Sequence, residues 1–144
     1  MMIALLFSNR HQSQQSSPQF WSQLGLSSCH ALRTIRFTLV IHSSQSLARM
    51  WRHIIDILST VPKFSLTKVA FTLTPDTSSL PEAGTDGFPW DALESALIRC
   101  CRDAAEVAFV VVKEKEASFR HKFLPKLPRV DQKCVVLFKH SEIQ

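Results

Sequence analysis

Four cysteines (Cys29, Cys100, Cys101 and Cys134) and six histidines (His11, His30, His42, His53, His121 and His140) carry most of the reactive chemistry of this 144-residue chain. Their types suit two tasks: holding a soft metal ion, or pairing a thiol nucleophile with an imidazole base. A metal site needs short paired spacings, because two ligands must reach one ion from a rigid turn. Neither C-x-x-C nor H-x-x-x-H occurs. Adjacent residues on a helix diverge by about 100°, so Cys100 and Cys101 are not expected to converge on one ion. Cys29 and Cys101 read instead as small apolar residues of a core. Cys134 with His140 has the types for nucleophilic catalysis, but no third group is in view to orient the base. The G-x-S-x-G elbow of serine hydrolases is absent. Three glycines, Gly25, Gly84 and Gly87, are too few for a phosphate-cradling loop, which excludes nucleotide-binding fingerprints.

The remaining charged and aromatic groups have structural readings. Glu114 and Glu116 alternate with Lys113 and Lys115 as a solvated charge run. The stretch Phe119, Arg120, His121, Lys122, Phe123, Leu124, Lys126 and Arg129 has the composition to meet RNA or an anionic membrane surface. Pro125 and Pro128 cut it short, so it reads as two phenylalanines in the core beneath a basic rim. Trp21, Trp51 and Trp90 fall at apolar-stripe positions and read as core. The sequence therefore predicts no catalytic, cofactor-binding or metal-binding residues.

The elements that position these groups follow from an internal repeat. Leu32, Ile35, Phe37 and Leu39 recur as Leu66, Val69, Phe71 and Leu73, and again as Ala104, Val107, Phe109 and Val111. Period-two alternation with β-branched and aromatic residues makes each copy a strand. Ile3 to Phe7 reads as another strand, too short for a signal peptide or a membrane span. Cys134 to Phe138, apolar throughout, reads as a strand covered on both faces. Between them, Leu47, Trp51, Ile54, Leu58 and Val61 draw one stripe down a helix that starts after Ser43 to Ser46 and stops before Pro62. A second helix has Pro89 in its first turn and Trp90, Leu93, Leu97 and Cys101 on its inner face, with Arg99 and Arg102 closing it. Weaker patterns put a short helix at Phe20, Trp21 and Leu24, and one or two turns at Phe119 and Phe123 ended by Pro125.

Strands alternating with helices imply βαβ units. The expected fold class is α/β: a parallel sheet of about four or five strands alternating with helices, in an irregular, leucine-rich-repeat-like short solenoid. Residues 1–144 form a single domain, with 8–17 and 74–87 as flexible loops.

Composition bounds the function. The net charge is +5, with 45% hydrophobic and 20% charged residues, inside the globular range. Residues 1–75 hold seven Lys and Arg against Asp56 alone, which raises nucleic-acid binding as an alternative; it requires Arg33, Arg36, Arg49 and Arg52 to share one face. A basic solvated surface is the preferred reading of that charge. Sparse cysteines without a secretory pattern point to reduced thiols in the cytoplasm or nucleus, and no apolar stretch approaches membrane-spanning length.

Read further upstream, Leu26, Cys29, Leu32, Ile35, Phe37 and Leu39 resemble the leucine-rich-repeat frame L-x-x-C-x-x-L-x-x-L-x-L, which Ile98, Cys101, Ala104, Val107, Phe109 and Val111 repeat. The middle copy has Lys63 at the cysteine position. The texture of CHALRTIRFTLVI, LARMWRHIIDILSTVP, LTKVAFTL, FPWDALESAL and VAFVVVKE resembles the repeat-like C-terminal region of F-box-associated proteins of basidiomycete fungi, over roughly residues 20–140. Two features depart from the standard repeat: its Asn falls on Val40, Thr74 and Val112, and the spacings of 34 and 38 residues between the phenylalanines are long. No F-box is present, so the resemblance implies the substrate-recognition end of a ubiquitin-ligase adaptor, truncated before its F-box, with a protein partner. The function expected is a non-enzymatic interaction scaffold. The alternatives are a small enzyme whose site the sequence does not display, and the basic nucleic-acid module.

Overall fold

The computed structural model describes residues 2–8, 30–41, 44–75, 89–111 and 116–140. Its strands are β1 (Met2–Ser8), β2 (Thr34–Ile41), β3 (Leu66–Pro75), β4 (Cys101–Val111) and β5 (Val135–His140). They pair in parallel, in sequence order, as one five-stranded sheet. Between them lie α1 (Ser44–Thr60), α2 (Trp90–Cys100), α3 (Glu116–Phe123), a 3₁₀ turn (Leu124–Lys126) and α4 (Pro128–Lys133). The crossover between β1 and β2, with the helix expected at Phe20 to Leu24, lies outside the described residues.

The repeat is realised in the sheet register. Phe37 pairs with Phe71, Phe71 with Phe109, and Phe109 with Phe138. Their rings stack along the sheet at centroid distances of 5.5, 5.2 and 5.3 Å. Ile35, Val69 and Val107 form a second buried row, and Leu39 and Leu73 a third. Period two puts all these side chains on one face of the sheet. In-register pairing keeps identical residues level, so the phenylalanines gain offset-stacked contacts beyond their buried area.

That face is the one the helices cover. With parallel strands in sequence order and crossovers of one hand, connecting helices fall on a single side. Met50, Trp51, Ile54, Ile57 and Leu58 of α1, and Val61 just beyond its end, are buried, the Leu47 side chain lying outside the described residues, and Trp51 reaches Phe71 at 5.0 Å. Phe123 of α3 meets Phe109 edge-on at 5.5 Å, and Trp90 of α2 packs on Phe123 at 5.0 Å. Together with Leu93, Leu97, Leu127 and Val130 they form one apolar cluster.

The helices are joined through their ends. α1 has no basic residue in its own last turn; instead Arg99 of α2 donates to Val61 O at 2.7 Å and Leu58 O at 3.4 Å. Lys133 of α4 donates to Ile98 O near the end of α2 at 2.6 Å. A cation from the following unit thus serves the orphan carbonyls of the preceding helix, where the helix dipole favours positive charge. At the other end of α4, Leu127 offers no side-chain cap. Glu94 of α2 replaces it: Oε2 accepts the Arg129 and Val130 backbone N–H groups at 2.7 and 3.1 Å, and Oε1 accepts Arg129 Nε at 3.0 Å.

Several expectations are corrected. α2 ends at Cys100, and Cys101 is extended (φ −94°, ψ 144°), so Cys101 and Arg102 open β4 and do not continue the helix. Pro89 is the N-cap of α2 and precedes its first turn. Ala104 is not the counterpart of Leu66. Leu66 pairs with Cys101, and Arg102, Asp103 and Ala104 bulge out before pairing resumes at Glu106. Ala104 sits in the left-handed region (φ 64°) and is exposed, as a bulge permits. This insertion accounts for most of the longer spacing to the third copy.

Two further corrections concern the ends of elements. β5 is Val135–His140 and is not covered on both faces: Val135 is 48% exposed. Ser8 belongs to β1 and Thr74 and Pro75 to β3; the rest of the loops assigned to 8–17 and 74–87 lies outside the described residues. α4 departs from the sequence expectation, because Pro125 and Pro128 read only as helix breakers, whereas Pro128 fits the first turn.

Candidate functional site

Alternation along each strand places the intervening residues on the second sheet face. The registers set them in rows: Thr34, Lys68, Glu106 and Val135; then Ala4, Arg36, Ala70, Ala108 and Leu137; then Thr38, Thr72, Val110 and Lys139. None of these joins the apolar cluster beneath the helices. Ala70 and Ala108 are buried, as methyl groups at the centre of a sheet among longer neighbours are; Arg36 and Lys139 are exposed, and Thr38, Thr72, Val110 and Leu137 are half-buried. No described helix packs on this side. All-parallel sheets are ordinarily covered on both faces; among the described residues this one is covered on a single face.

The face has a small-residue floor and a charged frame. Glu106 Oε2 lies 3.3 Å from Lys68 Nζ and 3.4 Å from Lys139 Nζ. Burial alone pushes the Glu106 carboxyl up, but the hydrogen bonds and positive charge of Lys68 and Lys139 outweigh it and hold the group below its usual range. Arg36, Lys68 and Lys139 against Glu106 leave the described face with a net positive charge.

The groups singled out from sequence fall elsewhere. Cys100 ends α2 and the extended Cys101 opens β4, so the expectation that both lie on one helix is corrected; Cys101 interacts with both Cys100 and Cys134. All are buried. The Cys100 hydrogen bond above all, helped by burial, drives the Cys101 thiol up; the Cys101 hydrogen bond and burial do the same for Cys134. Protonated, buried thiols are poor nucleophiles. Cys134 precedes β5 while exposed His140 ends it, a separation of about 20 Å at the usual strand rise, so the two form no dyad. Among the described residues no group of three His, Cys, Asp or Glu is arranged to hold a metal ion. Cys29, His11 and His42 lie outside the described residues.

The four arginines do not share a face. Arg36 is exposed on the open sheet face, and Arg49 and Arg52 on α1 behind the opposite one. Arg33 is turned into the chain, donating to His30 O, Leu32 O and Ser65 O. The cationic surface that nucleic-acid binding requires is therefore not assembled from them. The basic-aromatic run resolves into Phe119 and Phe123 in the core, Arg120 over the Phe138 ring at 5.7 Å and Arg129 on Glu94. Trp51 is core, Trp90 is half-buried at the α2 start, and Trp21 lies outside the described residues. No described helix is long and apolar enough to cross a membrane.

A shallow groove of about 510 Å³ lies between the α2 start and the 3₁₀ turn, lined by Trp90, Asp91, Lys126 and three prolines. It brings together no nucleophile and base. The open-face residues do not stand out in the sequence, because the large residues of each strand carry the stronger pattern. Their signal lies in the alternate positions: Arg36, Thr38; Ala70, Thr72; Ala108, Val110. No family model, curated protein or solved structure matches the chain.

Proposed function

We propose that this chain is a non-enzymatic protein-interaction scaffold that holds a partner on its open sheet face. The observation carrying this reading is the sheet itself: all strands parallel, one face sealed by the apolar cluster, the other floored by Ala70, Ala108, Thr38 and Thr72 and framed by charge. A repeat in register projects equivalent positions at regular intervals across a rigid surface, the property that repeat proteins use for binding. The resemblance to the leucine-rich-repeat frame and to fungal F-box-associated proteins supports the same reading, in which the chain is the substrate-recognition repeat region of a ubiquitin-ligase adaptor lacking its F-box. The excess of Arg36, Lys68 and Lys139 over Glu106 selects an acidic segment of the partner, since complementary potential sets specificity and on-rate.

The test is selection of a displayed library of random short peptides on the purified chain. The reading expects acidic peptides whose binding weakens with salt, is lost in Arg36→Glu and Lys139→Glu, and is unchanged in Arg52→Glu on the helix side. Selection of neutral peptides, or of binders sensitive only to Arg52→Glu, would remove it.

A further inference from the structure

Among the described residues the sheet has two open edges, and they match each other. β1 and β5 each have a single described strand neighbour, so the backbone N–H and C=O groups on their outer sides have no strand partner among the described residues. Natural sheets blunt such edges with charges, prolines or bulges. β1 (MIALLFS) carries no charged residue and no proline. β5 (VVLFKH) has Lys139 only near its far end.

The exposed apolar side chains mark the same places. Among the described residues the large exposed hydrophobics are Met2 at 56%, Phe64 at 55% and Val135 at 48%. Met2 and Val135 lie at opposite edges of one sheet row, through Thr34, Lys68 and Glu106. Adding a strand to β5 with the register that β5 itself keeps on β4 sets Met2 of a second copy beside Val135, Ile3 beside Val136, Ala4 beside Leu137 and Leu5 beside Phe138. Ile3 and Leu5 pack against the apolar cluster of their own copy, and Val136 and Phe138 belong to the same layer. The apolar row then continues from Phe138 into Leu5 just as Leu5 adjoins Phe37 within one chain. On the open face, Val135 and Met2 cover each other.

We propose that the occupant of these edges is a second copy of this chain, joined head to tail by parallel pairing of β5 with β1. The contact is heterologous, so it adds copies one after another and does not stop at a dimer. This inference stands on the edges alone and is independent of what binds the open face.

Sedimentation velocity and light scattering over a concentration series test it, with far-UV circular dichroism confirming that each variant is folded. The wild-type chain is expected to show a mass that rises with concentration. Val135→Lys alone and Met2→Glu alone change exposed side chains, and each is expected to weaken association by on the order of tenfold or more, a charged residue at an edge being the natural blocking device. The double variant Val135→Lys with Met2→Glu sets opposite charges side by side and is expected to recover association at low salt. A wild-type chain that stays monomeric throughout overturns the proposal. So does association indifferent to both single changes, or a folded double variant no better than either single one.

Discussion

Replacing Glu94 by Ala removes the group that starts α4. Glu94 is 3% exposed, and its carboxylate accepts the Arg129 and Val130 backbone N–H groups and also meets Arg129 Nε. In the variant the two N–H groups have no cap, because Leu127 supplies none, and a buried unsatisfied donor costs about 1–3 kcal/mol. The Arg129 guanidinium returns to water, its side chain already being 57% exposed. Together these put the cost of Glu94→Ala at about 2–4 kcal/mol, with the loss set by the backbone donors. In a chain of this size that lowers Tm by roughly 5–15 °C. Arg129→Ala removes only the exposed partner and is expected to cost about 0.2–1 kcal/mol. Urea denaturation followed by tryptophan fluorescence reads both, Trp90 lying on the same helix as Glu94. Equal costs for the two substitutions would refute the capping argument and show that the ion pair, and not the backbone cap, sets the loss.

The buried aromatic row makes Phe71→Ala expensive: Phe71 is fully buried and touches Phe37, Phe109 and Trp51, so its loss is expected to cost about 3–5 kcal/mol, whereas Thr72→Ala, one residue on and facing the open side, stays within about 0.5 kcal/mol; equal denaturation midpoints would contradict the assignment of faces. His53 on α1 has both ring nitrogens buried without a hydrogen-bond partner, and burial above all, with the charge of Arg49 and against that of Asp56, lowers its pKa from 6.5. The folded state therefore prefers the neutral ring, its contribution is whole above the unfolded value and is lost as pH falls through and below 6.5. Denaturation midpoints measured across that range should fall more steeply in the wild type than in His53→Gln. Ala104→Gly relieves a left-handed residue in an exposed bulge and is expected to stabilise by about 1 kcal/mol in the same assay, glycine adopting positive φ without the Cβ penalty.

The parts of the fold legible in the sequence are those governed by period. Phe37, Phe71 and Phe109, which recur along the chain, are neighbours in space, and the α1 stripe from Trp51 to Val61 is buried as its spacing requires. Illegible were the features that depend on long-range partners. No capping side chain near Leu127 announces the start of α4, because its cap, Glu94, is 35 residues away from Arg129, and Pro128 alone reads as readily as a helix breaker as a first-turn residue. The bulge at Arg102 to Ala104 was hidden for a similar reason: Ala104 fits the apolar pattern, and only pairing of Leu66 with Cys101 shows it to be extra. The open face was illegible because alternation tells which residues share a side and leaves unsaid whether that side is covered.

Among the described residues one sheet face is sealed and the other open, and carbene footprinting of the native chain, read residue by residue by mass spectrometry, measures that difference directly. Strong labelling is predicted at Val135, Leu137 and Val110, and protection at Phe37, Phe71, Phe109 and Phe138. Labelling of those phenylalanines to the extent of Leu137, or protection of Val135, Leu137 and Val110 in dilute monomeric protein, would contradict it.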